Sequence, residues 1–161
     1  MTTARKLLIF GGLALATWGM GYGIWYAVFL EHQTLDGLGA ALTAGFMRAA
    51  EGRMAESRAA LADAAARSYA YLRHVDAHGH WVGLGLLLLI LGIGFDRVVF
   101  GERGRTALAA VLLAGAVLFP LGVLLEVWNR GVGPQAVAVI GSALVILGLC
   151  GTAWGFARRD S

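Results

Sequence analysis

The amino-acid sequence predicts an all-α, polytopic membrane protein. The predicted fold is a four-transmembrane-helix bundle with an outward-facing, two-helix amphipathic loop between the first and second spans. Composition is the first indication, because 58% of the 161 residues are apolar and 14% are charged, whereas soluble domains carry about 25% charged residues. The mean hydropathy of the chain is +0.71. These values argue against a soluble single domain.

Four apolar stretches are each close to the roughly 20 residues that cross a bilayer as an α-helix. They place the spans at about 7–30, 79–100, 107–128 and 134–157, with a hydrophilic helical insertion at about 31–78. We therefore expect a single membrane domain over residues 1–161. The first stretch is 24 residues long and ends in an aromatic cluster, so we interpret it as a retained span and not a cleaved signal.

The distribution of basic residues predicts the topology. The segments 1–6, 96–106 and 158–161 hold seven Lys or Arg in 21 positions, whereas 31–80 and 126–133 together hold six in 58. The positive-inside bias places both termini in the cytoplasm and the long loop on the outward side. In a bacterial inner membrane, the location that we expect, that side is the periplasm. The net charge is +3, but the sequence contains no run of five like charges, so it does not indicate a nucleic-acid partner.

The outward insertion is predicted to be helical. Between Thr34 and Asp76 the chain is rich in alanine and free of proline, and its apolar residues recur at helical spacing. We expect two amphipathic helices that break near Gly52, the second of which can run without interruption into the second span. In the first span, Gly19 and Gly23 stand at GxxxG spacing, which we interpret as ordinary packing inside the bundle and not a dimer face.

All four histidines lie in the insertion or at its two joins with the membrane: His32, His74, His78 and His80. Imidazole is the commonest protein ligand for transition metals and for haem iron. His74 and His78 are four residues apart on one helix face and can converge on one ion. His80 is rotated by roughly 200° from His78 on a continuous helix, so the two are expected to serve opposite faces.

Glu126 is a second candidate, because an acid in a membrane segment is costly unless it is paired, binds an ion or reaches the interface. At its depth we expect an outward polar constellation bordered by an interfacial aromatic belt. The constellation comprises Glu31, His32, Asp76, His78, His80 and Glu126, and the belt comprises Trp25, Tyr26, Trp81 and Trp128. At the inner end, Asp96 is expected to close an ion pair or mark the boundary. Cys150 is interpreted as a small core residue.

The segment Val75–Gly85, which contains His78-Gly79-His80, resembles the His-x-His helix of the catalytic subunits of haem-copper oxidases and nitric oxide reductases. In that family the histidine pair ligates two haems, one on each face of the helix. The resemblance implies b-type haem at His78 and His80, and electron transfer with quinol or a small oxidised nitrogen or oxygen species. It covers eleven residues. The histidines that bind the family's second metal have no counterpart, so a complete binuclear centre is not expected.

Two functional hypotheses follow. The first is a small protein that binds b-type haem or a transition metal (copper, iron or zinc) in electron transfer or in metal or haem handling for a respiratory complex. The residues that would bind the cofactor are His78, His80, His32 and His74. The residues that would bind a bare metal ion are His74, His78, His80 and Glu126. Glu126 would accept a hydrogen bond from the remaining N–H of a ligand imidazole.

The second hypothesis is a non-catalytic subunit or assembly factor whose periplasmic loop docks a partner. Candidate partners are the lipid bilayer, a second copy of the chain, a larger respiratory complex and a quinone. Neither hypothesis requires the chain to be an enzyme.

Overall fold

The structure is a computed structural model that describes residues 1–158 of the chain. Its α-helices are α1 (Thr3–Tyr26), α2 (His32–Ala50), α3 (Met54–Gly94), α4 (Glu102–Leu125) and α5 (Val132–Ala157). A π-helix, Ala27–Glu31, joins α1 to α2, and a short 3₁₀ helix, Phe95–Arg97, follows α3. No strand occurs in residues 1–158, so the all-α prediction is confirmed. Arg159, which counts among the basic residues of the predicted inner side, lies outside the described residues.

Four helical segments within the described range are long and apolar enough to cross a membrane: Thr3–Ala50, Met54–Arg97, Glu102–Leu125 and Val132–Ala157. The chain is therefore a multi-pass membrane protein. The first segment has 48 residues, which corresponds to about 70 Å of helix and exceeds the bilayer core of about 30 Å more than twofold. The first two segments form an antiparallel hairpin whose far half projects beyond the bilayer, while α4 and α5 form a shorter hairpin beside them.

The projecting hairpin turns at Glu51–Arg53, where the sequence predicted a break. Gly52 has φ +76°, the left-handed conformation that glycine adopts without steric cost at the end of a helix. The helix α3 runs without interruption from the projecting part into the second span, as predicted. The sequence did not predict that α2 would also continue directly from the first span. No proline or turn residue interrupts 27–31, and the π-helix joins the two parts without breaking the helical rod.

Glycines bring the helices of each hairpin into near backbone contact. A Cβ atom placed on Gly12 would lie 2.6 Å from the carbonyl oxygen of Gly85, and one placed on Gly19 would lie 2.8 Å from the Cβ of Trp81. In the second hairpin, a Cβ on Gly115 would lie 2.7 Å from the backbone nitrogen of Val145. The packing role predicted for Gly19 is therefore confirmed. Small residues at these positions allow van der Waals contact along the helices, which is the main source of helix association in lipid.

The end of the bundle opposite the projecting hairpin is closed by polar contacts around Asp96. The hydroxyl of Thr2 donates to its Oδ1 over 2.7 Å, and Nη1 of Arg5 lies 3.2 Å from its Oδ2. The backbone N–H of Val99 donates to the carbonyl of Gly155 over 3.2 Å, which ties the connection after α3 to the end of α5. The ion pair expected of Asp96 is confirmed, and it joins the N-terminus of the chain to the end of the second span.

The close approach of α1 and α3 predicts the effect of adding side chains at two glycines of α3. Gly85→Val would place its Cβ 2.6 Å from the backbone nitrogen of Ala16, and we expect it to lower the free energy of unfolding by about 1–3 kcal/mol or more. Gly83→Val is the matched control, because no atom lies within 4 Å of its Cβ position. Thermal unfolding in detergent measures both. Equal melting temperatures for the two variants would contradict this packing.

Candidate functional site

His78 lies on α3 against α1 and is half-buried. Its Nδ1 atom is 2.8 Å from the carbonyl oxygen of Gly19. Because a carbonyl only accepts hydrogen bonds, Nδ1 is the donor, and the tautomer with its proton on Nδ1 has its lone pair on Nε2. A Cβ on Gly23 would lie 2.5 Å from the ring atom Cε1 of His78. Two glycines of α1 therefore create the space for this ring and hold its orientation.

His80 contacts a different helix. Its ring centroid lies 4.6 Å from that of Phe119 on α4, with an angle of 32° between the ring planes, and the residue is exposed. His78 packs on α1 and His80 packs beside α4, so the prediction that they face different sides of α3 is confirmed. One iron atom between these two rings of a single chain is excluded by this arrangement, because α3 itself separates them.

His74 is surrounded by aromatic rings. A hydrogen bond of 2.5 Å joins its Nδ1 atom to the hydroxyl of Tyr22, and its ring stacks on Tyr26 at a centroid distance of 4.4 Å. The ring centroid of Trp128 lies 6.3 Å from that of His74, and the ring centroid of Trp81 lies 5.4 Å from that of Tyr22, both in edge-to-face arrangements. We call these five residues, His74, Tyr22, Tyr26, Trp81 and Trp128, the His74 cluster. His74 and His78 therefore both contact α1, His74 through a tyrosine hydroxyl and His78 through a backbone carbonyl.

The His74 cluster modifies the expectation of an interfacial belt. Trp25 and Trp128 are 46% and 70% exposed, as residues of such a belt would be. Tyr26 and Trp81 are each only 5% exposed and pack inside the bundle. Sequence reasoning missed Tyr22 altogether. The available signal was its position four residues before Tyr26, which places both hydroxyl-bearing rings on one face of α1.

Glu126 directly follows α4, and its side chain is 12% exposed. The hydroxyl of Tyr69 donates to its Oε2 atom over 2.5 Å, and Nη1 of Arg73 lies 3.6 Å from the same oxygen. The guanidinium of Arg130 lies 4.2 Å from the centroid of the Tyr69 ring. The hydrogen bond to the carboxylate raises the pKa of the Tyr69 hydroxyl above its ordinary value. Glu126 thus binds the projecting part of α3 and contacts none of the four histidines in the described structure.

The remaining candidates are dispersed. His32 is exposed. Glu31 accepts a hydrogen bond of 3.2 Å from the hydroxyl of Tyr71, and Asp76 pairs with Arg73 at 3.0 Å. Within residues 1–158, no group of three or more His, Cys, Asp or Glu side chains is placed to hold a metal ion. Cys150, expected in the core, is exposed on the bundle surface.

A lipid-facing groove adjoins the His74 cluster. It runs between α1 and α4 with a volume of about 640 Å³. The residues that line it are Gly11, Ala14, Leu15, Trp18, Tyr22, Trp81, Leu113, Val117, Leu121 and Leu124. We call this the α1/α4 groove. A second groove of the same volume lies beside it along α1 and shares Ala14, Trp18 and Tyr22. Tyr22 therefore contacts His74 and also lines a cavity that is open to the bilayer.

No family model, curated protein or solved structure matches the chain. Its function is therefore inferred from the chemistry of its own residues.

The contacts of Glu126 predict the effect of removing one hydroxyl. Tyr69→Phe leaves a mostly buried carboxylate without its closest donor, and we expect the free energy of unfolding to fall by about 1.5–3 kcal/mol. Tyr71→Phe is the control, since it removes a longer hydrogen bond to Glu31, and its effect should be smaller. Denaturant titration in mixed micelles compares the two variants. A larger loss for Tyr71→Phe would refute the assigned importance of the Tyr69–Glu126 bond.

Proposed function

We propose that this chain is a small membrane protein that binds b-type haem near the outward end of its bundle through His78. Its role would be electron transfer or the handling of haem for a larger respiratory complex. The observation that supports this most is the hydrogen bond from Nδ1 of His78 to the carbonyl of Gly19. A histidine that ligates a metal almost always donates its other ring N–H to such an acceptor. The lone pair of Nε2 is then available to iron.

Haem fits the chain's own residues better than a bare metal ion. Protein sites for zinc or copper use three or four side-chain ligands, and residues 1–158 hold no group of three or more placed for that purpose. Haem contributes its four ring nitrogens and requires only one or two axial ligands from the protein. When bound, it supplies one-electron chemistry. His80 would serve a separate group on the α4 side, while His74 and His32 are the remaining residues that could hold the haem together with His78.

The proposed location is the inner membrane of a bacterium, with both termini in the cytoplasm and the projecting hairpin in the periplasm. Basic residues near the end that Asp96 closes favour this orientation. They are Arg5, Lys6, Arg97, Arg103, Arg105 and Arg158. His78 would then hold haem near the periplasmic surface, within reach of a periplasmic protein and of quinol in the bilayer.

Substitution of His78 tests the ligand assignment. The detergent-purified protein should show a Soret band that sharpens and shifts on dithionite reduction, and elemental analysis should show stoichiometric iron. His78→Ala should abolish the band while far-ultraviolet circular dichroism keeps the helical signal. His80→Ala is the comparison variant, and it tests whether a separate group binds on the α4 side of α3. Full haem content in a His78, His80 double variant would reject the assignment. Stoichiometric copper or zinc without a Soret band would show that the protein binds a bare metal ion and not haem.

A pair of glycine substitutions tests the same site without removing the ligand. Gly23→Ala would place a methyl group 2.5 Å from the His78 ring, whereas Gly21→Ala has no atom within 4 Å of its Cβ position. We expect haem content to fall in the first variant and to stay at the level of the unmodified protein in the second. Both glycines are in α1, so a general effect on helix stability would appear in both variants.

A second candidate function is that of a non-catalytic subunit or assembly factor. It is favoured by the exposed apolar tip of the projecting hairpin, where Phe46, Met47 and Met54 are 67%, 59% and 55% exposed. Apolar side chains clustered at such a position are typical of an interaction site.

Phe46→Ser distinguishes the two functions. If the chain is a subunit or assembly factor, Phe46→Ser should reduce co-purification of the partner complex severalfold, because it removes the most exposed ring of the tip. In that case the unmodified protein should also contain neither haem nor metal. Leu86→Ser, at a membrane-facing position that is 48% exposed, is a control for loss of apolar surface elsewhere. Undiminished co-purification of Phe46→Ser would eliminate the tip as the docking surface.

A further inference from the structure

The α1/α4 groove combines three chemical environments along its length. Leu113, Val117 and Leu121 of α4 form an aliphatic wall, and Trp18 and Trp81 contribute aromatic rings. None of the ten lining residues is charged, and Tyr22 is the only one that carries a hydroxyl group. This hydroxyl is hydrogen-bonded to His74. The groove therefore suits a long apolar molecule with an uncharged, ring-shaped head at the end near Tyr22.

We infer that the α1/α4 groove binds an isoprenoid quinone, with the tail along α4 and the head ring beside Tyr22. The volume of about 640 Å³ lies within the 300–1,000 Å³ that is typical of small-molecule sites. Flat rings pack favourably against Trp and Tyr in offset or edge-on contact. A branched hydrocarbon tail matches leucine and valine side chains and enters directly from the bilayer.

The Tyr22–His74 pair provides the polar recognition. A phenol and an imidazole can each donate or accept a proton in their shared hydrogen bond. When Nδ1 of His74 donates to the Tyr22 oxygen, the phenol O–H is available to a quinone carbonyl. When Tyr22 donates to His74, its oxygen can accept from the hydroxyl of a quinol. The pair is therefore able to hold both forms of the head group without moving its heavy atoms.

The surrounding charges argue against a phospholipid as the specific occupant. A phosphate head group is stabilised by a cationic side chain, and none of the ten residues that line the groove is charged. The two arginines at the end of the bundle that carries Glu126 interact with other residues. Arg73 pairs with Asp76 and Glu126, and Arg130 lies over the ring of Tyr69. A neutral head group has no such requirement.

The inference deepens the proposed function, on which its biological meaning rests, because a quinone here would be the lipid-soluble redox partner of haem at His78. Trp18 and Tyr22 each directly precede the glycines of α1, Gly19 and Gly23, that contact Trp81 and His78. The two sites therefore share a short segment of α1 and use different faces of it. Quinone binding itself does not require haem.

Titration of the full-length protein in nanodiscs with a decyl-tailed ubiquinone analogue tests the inference. Quinones quench indole fluorescence, and Trp18 and Trp81 line the groove. We expect saturable quenching at one analogue per chain. Tyr22→Phe should weaken binding by about three- to tenfold, the loss typical of one hydrogen bond. Tyr71→Phe is the matched control outside the groove and should bind as the unmodified protein does.

Two further variants distinguish quinone binding in the groove from haem binding at His78. Ala14→Trp fills the groove with an indole ring and should abolish binding, while the haem spectrum assigned to His78 persists. His78→Ala should lose haem and keep quinone binding, so that failure of one site does not imply failure of the other. Three results would overturn the inference: equal binding of decanol, which indicates an ordinary lipid groove; unchanged affinity in Tyr22→Phe; and dissociation of a dimer in Ala14→Trp, which indicates that a second copy covers the groove.

Discussion

The close approach of α1 and α3 is the constraint on which the rest of the structure depends. In a bilayer the helices gain little from burying apolar surface against one another, so association relies on contact between backbones and small side chains. Gly12, Gly19 and Gly85 allow that contact. The same closeness brings the carbonyl of Gly19 within 2.8 Å of the His78 ring. The orientation of the candidate ligand is therefore a consequence of how the helices pack.

Glu126 and His74 are two polar side chains near the membrane boundary that each have partners from another helix. Glu126 lies between Tyr69 and Arg73, and His74 lies between Tyr22 and Tyr26. A polar group in a medium of low dielectric constant costs several kcal/mol when it lacks a partner, about 2–7 kcal/mol for an uncharged group. These contacts consequently explain how the end of the bundle next to the projecting hairpin tolerates an acid and a histidine. They also assign different roles to the two residues, because Glu126 anchors the projecting hairpin whereas His74 adjoins a groove that opens to lipid.

The separation of His80 from the other two histidines of α3 limits the chemistry that one chain can perform. His74 and His78 contact α1, whereas His80 lies beside Phe119 of α4. A site with three or four imidazole ligands would need these rings to converge, whereas haem would need only one or two of them. The proposed haem and quinone sites share the segment Trp18–Gly23 of α1, so a change in the packing of that segment would affect both sites.

Local spacing in the sequence by itself determined the number of spans, the turn at Gly52, the continuity of α3 and the opposite directions of His78 and His80. Each of these depends on apolar length, backbone preference or the 3.6-residue helical repeat, all of which can be read along the chain. Only the tertiary structure decided that Tyr22 meets His74 and that Tyr69 meets Glu126, pairs separated by 52 and 57 residues. Those contacts depend on the axial register between helices, which arises from packing at glycines and is not encoded in the periodicity of any single helix.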